Sequence, residues 1–144
     1  MKTRLQKYVE EHNISQVQFL GFQPKDQLKY SLNAADIHLV VNQKGIKGVS
    51  VPSKIYGVMA AGKPVLGVLE QGSEAYRLIE DSECGVLVEP QQYDEFVLKL
   101  KFMYFMDRNK LRAFGMDGRA YLDRYLKREI AMGKYRDLLQ KLSS

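Results

Sequence analysis

The chain has 144 residues, 45% of them apolar and 27% charged, with a formal net charge of +5 and one cysteine. That length is one domain's worth, enough to bury a core, and a lone thiol excludes an internal disulfide and fits a reducing compartment. No apolar run approaches the roughly 20 residues that span a bilayer as a helix.

The N-terminus, MKTRLQKYVEEHN, is charged throughout and reads as an amphipathic helix over residues 2–12, with Leu5, Tyr8 and Val9 as its stripe, not as a signal peptide. Residues 17–20 (VQFL) read as a short strand closed by Gly21. Pro24 opens a helix whose Leu28, Leu32 and Ala35 face inward, and Asp36 fixes the turn into a strand over 37–41. On that strand His38 alternates with Ile37 and Leu39, which puts it on the opposite face, and a lone strand histidine is more often packed or solvated than catalytic.

The segment SVPSKIYGVMAAGKPV (50–65) carries most information. Pro52 suits a first helical position, with Ser53 and Lys54 in the first turn. Gly62 can take the left-handed cap, Pro64 blocks continuation, and 65–69 reads as a buried strand. The unpaired N–H groups and dipole of such a helix start, preceded by Gly45, Gly48 and Ser50, form a candidate phosphate cradle. A loop–helix–strand unit that binds nothing has the same outline. A helix over 73–80 and a strand over 85–88 follow, and this βα alternation implies a parallel sheet.

From Gln91 onward the pattern is helical. Phe96, Leu100 and Met103 mark one helix, Leu111, Phe114 and Leu122 another, and Gly133 interrupts the last stretch before Tyr135, Leu138 and Leu139 resume it. The basic charge sits here: residues 99–141 hold 12 Lys/Arg against 5 Asp/Glu, whereas 1–98 hold 10 against 12. A basic helical face suits anionic lipid or is simply solvated. Without a helix-turn-helix, zinc-finger or RNP signature it gives no reason to expect nucleic acid. Cys84 has no His or second Cys near it in sequence and is neither nucleophile nor metal ligand.

PSKIYGVMAAGKPV, with VQFLGFQPKDQL (17–28), NAADIHLVV (33–41) and GSEAYRLIEDSECGVLVEP (72–90), resembles the donor-binding half of family 4 (group 1) retaining glycosyltransferases over roughly residues 2–127. The fold this implies is α/β: a Rossmann-like parallel sheet, half of a GT-B fold, followed by C-terminal helices. All of 1–144 is then one domain, with βα units to residue 90 and a helical part over 91–144. The family's domain opens with a strand, a glycine-rich turn and a basic pair, none of which precedes the first helix here. A doubly wound sheet would therefore lack a central strand, and the chain reads as a fragment missing the N-terminal acceptor domain.

The resemblance implies a hexosyltransferase domain, incomplete on its own, that binds a nucleotide diphosphate sugar as substrate, with no cofactor and no metal, in surface polysaccharide biosynthesis. Loop 42–51 and the helix start would hold phosphates and sugar through the backbone N–H groups of Val49, Ser50 and Val51, with Ser53, Lys54 and Lys47 adding hydroxyl and charge. Lys44 and Lys47 read equally as plain loop charges. Gly21 and Phe22 would meet the nucleobase, unless Phe22 packs under the loop. The family's two glutamates, eight residues apart, fall at Val49 and Gly57, so Tyr56 or Glu74 is left to hold the ribose. A degraded, non-catalytic nucleotide-sugar module is the alternative, with an epimerase fragment behind it. The location implied is cytoplasmic, with contact at the inner membrane face if the acceptor is lipid-linked.

Overall fold

The structure is a computed structural model and describes residues 2–49 and 51–142. Its sheet has three parallel strands, β1 (His38–Val41), β2 (Val65–Val68) and β3 (Gly85–Val88), in that order, with His38 in register with Val65 and Val65 with Gly85. Helices α1 (Lys2–Glu11) and α2 (Leu28–Ala34) precede β1. α3 (Lys54–Ala60) and α4 (Glu74–Ser82) form the crossovers, and α5 (Tyr93–Phe105), α6 (Arg108–Tyr121) and α7 (Arg128–Leu142) follow.

Alternation along β2 sorts the core into two layers. Val65 and, just past the strand, Leu69 join Val40, Ile55, Val58 and Met59 of α3 and Ala75, Leu78 and Ile79 of α4. Leu66 turns the other way, toward Val88 and the Met103 side chain of α5. Burying a side chain such as Ile55 or Met59 contributes about 1.5–3 kcal/mol. α6 ties the layers together, since Leu111 near its start packs with the α5 layer and Tyr121 at its end with the α3–α4 layer. Gly62 caps α3 at φ +63°, as its position before Pro64 predicts.

Several expectations fail locally. Residues 17–20 form no strand: Val17 and Leu20 are exposed, and among the described residues no strand pairs on that side of β1. Helix α3 starts at Lys54, with Pro52 and Ser53 in the turn before it and no hydrogen bond from the Ser53 side chain to the helix end. Leu28 is exposed rather than inward. Gly133 lies inside α7 without breaking it, and Tyr135, Leu138 and Leu139 are exposed there. His38, by contrast, lies opposite Leu39 as its alternation predicts, sharing the inward face of β1 with Val40 while Leu39 and Val41 face out. No described helix is long and apolar enough to cross a membrane.

Candidate functional site

In a parallel sheet the strand carboxyl ends share one edge, and ligands of open α/β sheets bind there. All three ends meet at this edge through a chain of hydrogen bonds. Glu70, past β2, accepts from the backbone N–H of Gly45 at 2.9 Å and of Lys47 at 3.2 Å, which holds the loop after β1. The Lys47 ammonium donates to the Gln71 carbonyl at 2.8 Å, and the Gln71 N–H donates to Glu89, past β3, at 2.6 Å. Gly45 at φ +90° and Gly48 at φ +77° supply the left-handed turns this loop needs.

Glu70 and Glu89 shape the candidate site, and motif reading passes over both. The available signal was positional: each carboxylate lies at most two residues past the end of a strand. The predicted residues divide. Lys47 stands in the cradle but is anchored on Gln71. The Val49 N–H donates to the Ile46 carbonyl at 3.0 Å, closing a turn, and its side chain is 82% exposed, so this amide is not offered to a phosphate. Ser50 lies outside the described residues. Val51 and Ser53 are exposed on the turn into α3. The Lys54 ammonium reaches back to the Leu39 carbonyl at 3.2 Å.

Tyr56 and Glu74, predicted as alternatives, are brought together. The Glu74 carboxylate lies near the Tyr56 hydroxyl, and burial, then the Glu74 charge, push the phenol above its ordinary range. Ser73 caps α4, its hydroxyl accepting from the Tyr76 N–H, which places Glu74 in the first turn. Phe22 is 95% exposed and Gly21 has open space around it, which removes the reading of a phenylalanine packed under the loop.

Two titratable groups lie away from this edge. His38 is 7% exposed and its Nε2 bonds to the Leu32 carbonyl at 2.8 Å, so Nε2 carries the proton. Burial lowers its pKa, and the nearby Lys54 and Lys63 add to that. Cys84 is buried, and burial pushes its thiol up, out of reactive range. Asp36 pairs with Arg108 at 3.2 Å, an exposed contact at the start of β1.

Comparison with known proteins agrees with this architecture. The pattern of the family described as "Glycosyl transferases group 1" matches residues 1–120. WbjE of Pseudomonas aeruginosa, named as a probable glycosyltransferase, is 36% identical over 81 residues, 56% of this chain and 20% of WbjE. WcaI of Escherichia coli K12, named for colanic acid biosynthesis and glycosyl transfer, is 27% identical over 135 residues, 93% of this chain and 32% of WcaI. Sucrose-phosphate synthase of Thermosynechococcus elongatus shares the fold, with a TM-score of 0.74 at 23% identity over 96% of this chain and 34% of its own. The chain spans 20% to 34% of the length of these relatives. With its parallel sheet, its loop cradle and a family match over most of its length, the chain belongs to the glycosyl transferases group 1 family.

Proposed function

We propose that the chain is the donor half of a retaining family 4 hexosyltransferase. It binds a nucleotide diphosphate sugar for surface polysaccharide synthesis and needs an acceptor domain outside this sequence for transfer. The observation that carries the reading is the convergence of Lys47, the positive-φ loop and the Tyr56–Glu74 pair around the carboxyl ends of the strands. Glu74, exposed beside Tyr56, has carboxylate lone pairs for the two ribose hydroxyls. Lys47 and Lys54 are exposed and each ammonium bonds a main-chain carbonyl, so an anionic diphosphate competes well for both. Retention in this reading needs no protein nucleophile; placed dipoles and cations stabilise the leaving diphosphate. The name of WcaI supports the polysaccharide setting.

A second reading, a binding module without catalysis, has Glu70 in its favour, because that carboxylate already takes the Gly45 and Lys47 amides. Thermal-shift titration with UDP, GDP and their sugars separates the two. A ligand at a hundredfold excess over Kd adds about 2.7 kcal/mol to the folded state, which raises Tm by several degrees. A flat response in a cooperatively melting sample refutes the donor half-site.

A further inference from the structure

We propose that a pocket at the amino ends of the strands binds a phosphate monoester of sugar size. The pocket is a cavity of about 500 Å³ between the end of α2, the α3–β2 turn and the first part of α6. That volume lies in the range of small-molecule sites. Asp36 and Pro64, which line it, stand just ahead of β1 and β2, so it sits at the edge of the sheet opposite the cradle.

Charge selects the ligand. Lys63, Arg108 and Arg112 line the pocket, and Asp36 is its one carboxylate. Arg108 and Arg112 are four residues apart on α6, which puts them on one face. Asp36 takes Arg108 at 3.2 Å, whereas Lys63 and Arg112 form no ion pair among the described residues. The adjacent Asp107 and Lys110 are of opposite sign and line a different groove. Asp107 is also committed to the head of α6, accepting from the Asn109 and Lys110 N–H groups at 3.0 and 3.3 Å. Three cations against one carboxylate leave two positive charges in a concave site, whose low-dielectric walls focus them. A phosphate monoester carries about −1.5 to −2 near neutral pH and matches that surplus. A carboxylate would leave one cation unanswered, and a nucleoside diphosphate would exceed the pair. The Arg112 guanidinium can also meet two phosphate oxygens at once.

The rest of the lining suits a hydroxylated carbon skeleton. Asn33 gives one N–H to the Lys29 carbonyl at 2.8 Å and keeps its side-chain oxygen for a ligand hydroxyl. Asn109 adds a second carboxamide, and Pro64, Leu111 and Met116 form an apolar wall for the face of a ring. No lining residue belongs to the donor cradle, so this inference stands independently of the donor reading.

The test is isothermal titration calorimetry of the full chain in phosphate-free buffer, with glucose 6-phosphate as probe and inorganic phosphate for comparison. One-to-one binding of the ester with a Kd of about 1 mM or tighter is expected, and weaker binding of inorganic phosphate. Lys63→Gln/Arg112→Gln should weaken the ester by about tenfold or more. Asp36→Asn should tighten it instead, by releasing Arg108, a gain that general damage to the fold does not produce. Arg112→Gln alone, at an exposed position, carries the loss if the double variant departs from the parent in circular dichroism. No heat from glucose 6-phosphate, equal binding of inorganic phosphate, or binding unchanged in Arg112→Gln overturns the proposal. An isotherm erased by excess UDP also overturns it, because the ester then sits in the donor cradle.

Discussion

Gly115 and Gly133 both sit inside helices, but the same substitution should act with opposite sign at the two. At Gly115 a Cβ would overlap the Gly62 carbonyl and stand 3.0 Å from the Lys63 Cα, so the neighbours are all backbone. Gly62 cannot retreat easily, because it caps α3 at φ +63° with its N–H on the Met59 carbonyl at 2.9 Å. Overpacking costs about 1–3 kcal/mol, and backbone atoms have no other rotamer to take, which favours the upper end. Alanine returns about 1 kcal/mol of helix propensity. Gly115→Ala should therefore destabilise by roughly 2 kcal/mol. At Gly133 nothing lies within 4 Å, so Gly133→Ala should stabilise by about 0.5–1 kcal/mol. Urea unfolding followed by circular dichroism reads both. With m of about 2 kcal/mol/M, the midpoint falls by about 1 M for the first and rises by less than half that for the second. A Gly115→Ala midpoint at or above the parent's would show that α6 does not rest on the α3–β2 turn as described.

Glu74→Gln and Tyr56→Phe should each flatten the nucleotide-dependent rise in Tm, with ligand-free stability changed by no more than about 1 kcal/mol; an undiminished rise would remove the pair from the site. Glu70→Ala should accelerate hydrogen exchange at the Gly45 and Lys47 amides, which NMR resolves, while β2 amides stay protected. His38 is held neutral, with its folded pKa depressed below the ordinary value of about 6.5. The unfolded chain then takes the proton first, so this contribution is complete above about pH 6.5 and declines as pH falls through that value toward the folded pKa. Tm measured from pH 8 to 5 should drop more steeply for the parent than for His38→Gln, and parallel curves would refute the assignment. Lys54→Met should uncover the Leu39 carbonyl on the free edge of β1 and promote association by strand pairing, seen as faster light-scattering growth; unchanged scattering would show that the lysine does not guard the edge.

How much of this was legible in the sequence depended on the range of the interaction. β2, α4 and β3 are bounded by local punctuation, Pro64, Ser73 and Gly85, and they fall where the pattern puts them. A strand needs a partner strand as well as a pattern, and residues 17–20 pair with no strand among the described residues. Alternation shows that His38 and Leu39 lie on different faces, but which face is buried depends on α2 and the Leu32 carbonyl. The Glu70 carboxylate meets an amide 25 residues away, so it reads in sequence as a solvated loop charge. Tyr56 and Glu74 could be named singly from the family resemblance, whereas their proximity needs α3 and α4 side by side. On α5, Phe96, Leu100 and Met103 read as one stripe, of which Phe96 and Met103 pack inward while Leu100 is exposed. Leu98, Phe102 and Phe105 form a second stripe at helical spacing, and all three are exposed.

The free edge of β1 and the cradle are coupled through one side chain. His38 and Asn42 donate across to the Pro64 and Val68 carbonyls, so the intervening Leu39 directs its own carbonyl away from β2. Lys54 occupies that carbonyl with its ammonium. A strand pairing at this edge takes the Leu39 carbonyl as an acceptor for its own N–H. The lysine is then released at the head of α3, two residues before Tyr56. In the present arrangement the same lysine blunts an edge that would otherwise recruit strands indiscriminately. On the proposed donor reading, a diphosphate competes with the Leu39 carbonyl for this ammonium, so donor binding should tighten when a strand pairs at the edge and takes that carbonyl.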